Sequence, residues 1–93
     1  MNTYVILRRS GWSSPEELQQ AAARSEKAGE EMSGEIRWIR SYIMDEQADN
    51  LGTVCIYQAT SPEAIRRHGE IALLPVDEII PVMETVVKRP DPQ

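Results

Sequence analysis

The tripeptide Ser-Pro-Glu occurs twice, at Ser14-Pro15-Glu16 and Ser61-Pro62-Glu63, and each copy lies between two runs rich in β-branched and aromatic residues. Each copy is a helix start. The serine hydroxyl accepts from a backbone N–H of the first turn, proline occupies the position where its missing donor costs nothing, and the acid complements the helix dipole. In the first copy Glu17 adds the reciprocal half of a capping box. The flanking runs are Thr3–Arg9, Ile36–Met44, Gly52–Ala59 and Val76–Val87. They suit a pleated, half-buried surface. The order is strand, helix, strand, strand, helix, strand, in two halves of similar length. This is the split βαβ plan. Right-handed crossovers place both helices on one sheet face.

The expected fold is therefore α+β and ferredoxin-like, βαββαβ, with a four-stranded antiparallel sheet. Strands one and three are central, and strands two and four are edges. Pro81 fits an edge or a bulge because it cannot donate to a ladder. Residues 1–87 form a single domain and 88–93 a C-terminal tail. The polar run Asp45–Asn50 is a hairpin loop. The first helix carries a small, mostly apolar stripe, Leu18, Ala22, Ser25, Gly29 and Met32, and ends at Gly34. The second presents Ala64, Ile65, His68 and Ala72 on one face and stops at Leu74-Pro75.

Both helices cover the same sheet face, so the other face needs a partner. Period-two alternation sorts the strand residues into two sets. The purely aliphatic set contains Val5, Leu7, Ile39, Ile43, Val54 and Ile56, and it is expected under the helices. The open face is then Tyr4, Ile6, Arg8, Trp38, Arg40, Tyr42, Thr53, Cys55 and Tyr57, too apolar to be left in water. Two such faces packed back to back would form a dimeric α+β barrel enclosing a cavity. This makes a homodimer or higher self-assembly the expected partner.

Composition narrows the function classes. The net charge of −5 gives no basic footprint for nucleic acid and no patch for an anionic membrane. No apolar run approaches the roughly 20 residues that span a bilayer. The N-terminus enters a strand at once, without a signal-peptide pattern. A lone cysteine cannot form an intrachain disulfide, so the expected location is cytoplasmic. With aromatic residues at 5% and no Phe, each Trp and Tyr carries more information.

The run Trp38-Ile39-Arg40-Ser41-Tyr42-Ile43, the run from Cys55-Ile56-Tyr57-Gln58-Ala59 through Ser61-Pro62-Glu63-Ala64-Ile65 to His68, and the later Leu-Pro and Ile-Ile-Pro-Val together resemble a family of small domains of unknown function. That family includes nickel-binding proteins with a ferredoxin-like fold. The resemblance spans about Tyr4 to Val82. It implies small, often dimeric assemblies and binding of nickel or another transition metal. Carried over residue by residue, it makes His68 and Cys55 the metal candidates, with Tyr42 and Tyr57 lining the nearby pocket.

Imidazole and thiolate suit nickel, zinc and copper, but two donors do not complete a site. The alternation also sets Cys55 and His68 on opposite sides of the sheet, where they cannot meet within one chain. Without a metal, Cys55 is a small buried hydrophobe and His68 satisfies a hydrogen bond near a helix end. Catalysis by the pair would need hydrogen-bond reach between them. Trp38, Arg40, Tyr42 and Tyr57 offer either an interface of the usual Tyr, Trp and Arg composition or walls for a flat acidic or phenolic ligand. Three functions remain open: a nickel or other transition-metal binder, a barrel-cavity enzyme or small-ligand binder, and a non-catalytic assembly module.

Overall fold

A computed structural model describes residues 1–91. Six elements follow in order: β1 (Asn2–Trp12), α1 (Pro15–Glu31), β2 (Ile36–Asp45), β3 (Leu51–Ala59), α2 (Pro62–Ala72) and β4 (Glu78–Pro81). The strands form a four-stranded sheet in the order β2-β3-β1-β4. Every neighbouring pair is antiparallel. The ferredoxin-like plan read from the sequence is the observed one, with β1 and β3 central. No described helix is long and apolar enough to cross a membrane.

Both helix starts form as their residues dictate. Ser14 Oγ accepts from the Glu17 N–H at 3.2 Å, and Ser61 Oγ accepts from the Ala64 N–H at 3.2 Å. The capping box closes one residue early, however. The Glu17 carboxylate accepts from Ser13, through its N–H at 2.9 Å and its hydroxyl at 2.6 Å, rather than from the Ser14 N–H. Helix α1 ends at Glu31, with Met32 donating to the Ala28 carbonyl at 3.0 Å, so Gly34 lies in the following turn rather than at the helix end. Helix α2 ends through Leu73 in the left-handed region, φ 57°. The Leu74 N–H then reaches back to the Gly69 carbonyl at 2.8 Å.

The fourth strand is shorter than expected. Pairing with β1 runs from Leu7↔Glu78 to Tyr4↔Pro81. One further bond joins the Val82 N–H to the Thr3 carbonyl at 2.9 Å, and the chain then leaves the sheet. Pro81 ends an edge strand, where its missing N–H breaks no interior ladder.

On β1 and β3 the two sheet faces are the reverse of the expectation, whereas beyond the β2 bulge Arg40 and Tyr42 lie on the open side and Ile43 on the helix side, as expected. Tyr4, Ile6, Arg8, Thr53, Cys55 and Tyr57 lie under the helices and are buried. Val5, Leu7, Val54 and Ile56 are half-buried on the helix-free side. The reason is volume complementarity. Helix α1 buries Ala21, Ser25 and Ala28, all small, so the sheet must supply the bulk. Two tyrosines and an arginine fill that layer where valines would leave voids. Ile6 and Ile65, both fully buried, contribute about 1.5–3 kcal/mol each.

On β2 a register shift falls between Trp38 and Arg40. One extra residue reverses the alternation beyond it. Trp38 therefore pairs with Tyr57 on the helix side, whereas Arg40 pairs with Ile56 and Tyr42 with Val54 on the open side. The expectation that Arg40, Tyr42 and Tyr57 share one face fails at this bulge.

Candidate functional site

A cavity of about 240 Å³ lies between α1 and the helix side of the sheet. It exists because Ala21, Ala22 and Ser25 of α1 stand back from the strands. Trp12, Trp38 and Tyr57 wall it, with Arg8, Thr53 and Cys55 on the strand side. Trp12 arrives there because β1 shifts register between Arg8 and Trp12, carrying the strand end over the helix start. The Glu46 side chain from the hairpin loop holds that shift. It accepts from the Ser10 N–H, from the Ser10 hydroxyl at 2.9 Å and from Arg9 Nε at 2.6 Å.

Trp38 and Tyr57 stack with ring centroids 6.3 Å apart and planes at 12°. A chain of hydrogen bonds runs along the strand side. Trp38 Nε1–H donates to Ser41 Oγ at 2.7 Å, the Ser41 hydroxyl donates to Cys55 Sγ at 3.1 Å, and the Cys55 thiol donates to Thr53 Oγ1 at 3.4 Å. Cys55 is thus a buried thiol inside a polar relay.

Tyr57 is 1% exposed, and its hydroxyl lies 3.0 Å from Ser25 Oγ. Burial pushes the Tyr57 hydroxyl above its ordinary value, against the opposing pull of Ser25 and of the Arg8 charge. His68 packs edge-on to the same ring, with centroids 5.5 Å apart. Its Nε2 lies 3.0 Å from the Ser25 carbonyl oxygen. A carbonyl accepts only, so Nε2 carries the proton and Nδ1 holds a lone pair. Among the described residues, that buried Nδ1 has no partner. Burial is the main cause that lowers the His68 pKa, and the Arg8 charge lowers it further, against the Ser25 carbonyl.

Arg8 is the residue that sequence reasoning missed as a site. It is 1% exposed. Among the described residues, Nε, Nη1 and Nη2 all lack a hydrogen-bond partner. Its guanidinium carbon sits 5.8 Å from the centre of the Tyr57 ring. The available signal was its place in the alternation: it continues the Tyr4, Ile6 set on a central strand, so whichever face carries that set buries an arginine.

The metal candidates stand on the same side of the sheet, not on opposite sides as the alternation implied, because the face assignment was inverted. No hydrogen bond joins them: Cys55 bonds to Ser41 and Thr53, and His68 to Ser25. Among the described residues, no group of three or more His, Cys, Asp or Glu side chains could hold a metal ion. Arg40 and Tyr42 project from the open face, away from the cavity. Arg40 Nη1 meets Asp91 Oδ2 at 2.5 Å, and the Tyr42 hydroxyl donates to Asp91 Oδ1 at 2.8 Å. The acidic ligand expected on this pair is supplied by the chain's own tail, whose last positions, 92 and 93, lie outside the described residues.

No curated protein matches this chain. Among solved structures, SCO4226 from Streptomyces coelicolor A3(2) superimposes with a TM-score of 0.71 at 20% identity, covering 90% of this chain and 99% of that one. At that identity the likeness shows the fold alone. The family model described as "Nickel responsive protein SCO4226-like" matches residues 4–82, and the chain belongs to that family.

Proposed function

We propose that this chain is a non-catalytic binding domain that takes a small, largely apolar molecule into the cavity between α1 and the sheet. The cavity itself supports this reading. An apolar cavity of about 150 Å³ holds benzene, so about 240 Å³ has room for a ring with a short side chain. Trp12, Trp38 and Tyr57 supply flat walls, and the half-exposed Trp38 sits where the cavity meets solvent. Quenching or enhancement of tryptophan fluorescence by small aromatic molecules tests the reading. Ala22→Leu, which fills the cavity from the helix side, should abolish the signal. Unchanged binding in that variant would reject it.

The second reading is binding of nickel or another transition metal, with His68 and Cys55 as donors. The family's description supports it, as does the unpartnered Nδ1 lone pair of His68. Because both donors are buried on the helix side, further donors would come from backbone groups or water. Arg8 puts this reading second, because a positive charge that disfavours imidazolium disfavours a bound cation as well. Calorimetric titration with nickel tests it: no heat, or unchanged affinity in His68→Ala, would count against it.

Self-association completes the proposal. Val5, Leu7, Val54 and Ile56 leave an aliphatic stripe on the helix-free face, flanked by Tyr42 and Ile80. Back-to-back pairing of two such faces would give the dimeric α+β barrel. A cytoplasmic location fits the single, buried, unpaired cysteine.

A further inference from the structure

We propose that Arg8 anchors the carboxylate of the bound molecule, so that the ligand is a small monocarboxylic acid with a flat or aliphatic apolar body. The inference rests on the binding-domain reading above and names the chemistry of its ligand.

A guanidinium carries a delocalised positive charge and a fixed fork of N–H donors. Burying one without a partner is costly, and native structures pair nearly all such groups. Here all three side-chain nitrogens of Arg8 are buried and, among the described residues, unpartnered. The contrast with the next residue is direct. Arg9 points outward and takes Glu46 at 2.6 Å, although its guanidinium is already solvated. The inward arginine has the ring of Tyr57 at 5.8 Å and only a weak polar approach to that side chain, which offsets its charge in part and leaves its N–H donors without a hydrogen bond of normal geometry. What those donors fit is a planar anion: the guanidinium fork matches a carboxylate with two parallel hydrogen bonds.

A second group stands beside it. Thr53 is the direct cross-strand partner of Arg8 and faces the same cavity. Its oxygen accepts from the Cys55 thiol at 3.4 Å, which leaves its own O–H to donate. Arg8 and Thr53 are thus neighbours on the cavity wall, and each has donor groups not used within the described residues. Apart from Ser25, Ser41 and Cys55, the rest of the lining is aromatic or aliphatic, with Trp12, Leu18, Trp38 and Tyr57 its largest members. One positive charge in an apolar chamber selects a single anionic head. A dianion or an inorganic ion would leave charge or polar surface against the hydrocarbon walls.

The test uses matched pairs that differ in charge alone: phenylacetate with phenylacetamide, and octanoate with octanamide. Binding to the full chain is read by tryptophan fluorescence and by calorimetry. Wild type should prefer each acid over its amide by about tenfold or more, the scale of a charge-assisted bidentate contact. Arg8→Met should lose that preference yet keep amide binding, which also reports that the variant is folded. Arg8→Lys should recover part of the preference. Arg40→Met, on the opposite face, should behave as wild type. Equal binding of acid and amide by wild type would overturn the anchor while leaving the cavity reading intact. Binding of neither pair would overturn both. Competition by inorganic phosphate as strong as by phenylacetate would replace the carboxylate site with a general oxyanion site and overturn the proposal.

Discussion

The guanidinium of Arg8 lies over the ring of Tyr57, 5.8 Å from its centre, and both side chains are buried beneath the helices. Around this pair sit the other polar groups of the core. Ser25 meets the Tyr57 hydroxyl, and His68 meets the ring edge and the Ser25 carbonyl. The core is therefore built on a charge, and its behaviour departs from that of an aliphatic one in measurable ways.

Without ligand, Arg8 is a burden on the fold. Desolvating an unpaired charge costs several kcal/mol, of which the aromatic contact returns about 2 kcal/mol. Arg8→Met keeps most of the volume and removes the charge. Its stability in urea should lie between unchanged and about 3 kcal/mol above wild type. A loss of more than about 1 kcal/mol would mean that the guanidinium is satisfied within the fold.

The contact between Ser25 and Tyr57 is a buried hydrogen bond at 3.0 Å. Tyr57→Phe and Ser25→Ala should each cost about 1–2 kcal/mol, because each strands a buried polar atom. The double variant should cost less than the sum of the two, since the second change removes the stranded group. Additive losses in a denaturant cycle would show that the two hydroxyls do not interact.

His68 makes stability depend on pH, with a definite sign. Its folded-state pKa is lowered, chiefly by burial, relative to the unfolded value near about 6.5. The unfolded chain thus binds a proton that the folded chain resists, and stability rises with pH through that window. The contribution is complete above about 6.5 and is lost as pH falls from there toward the lowered folded value. His68→Gln should flatten this acid limb. Tyr57 acts at the other end: its raised pKa stabilises the fold below about 10, and this is lost as pH rises through the folded value. Urea midpoints across the pH range check both limbs, and an acid limb that survives in His68→Gln would assign it to another group.

Self-association belongs to the aliphatic face. Ile56→Asp places a charge in the middle of the stripe and should leave a monomer at tens of micromolar by light scattering. Trp38→Asp lies on the helix side of the β2 bulge and should impair the cavity rather than assembly. The reverse pattern would return the interface to the aromatic residues.

Much of this molecule was determined by its sequence alone. The two Ser-Pro-Glu starts produce their caps, because N-capping needs only residues within one turn of each other. The element order leads to the ferredoxin-like sheet with β1 and β3 at its centre, since short connections and right-handed crossovers leave few alternatives. Pro81 marks the end of an edge strand, and Ala64, Ile65, His68 and Ala72 all face inward as their spacing predicts. Two decisions were left to the tertiary structure. Alternation shows which strand residues share a face, but not which face the helices will cover. Here the small side chains of α1 required the tyrosines and Arg8 beneath them, a choice made by packing volume between segments far apart in the chain. The bulge after Trp38 was equally hidden, because one unpaired residue leaves no mark on composition yet reverses every side chain beyond it. Together these two facts moved the candidate site from Arg40 and Tyr42 on the open face to Arg8 beneath the helices.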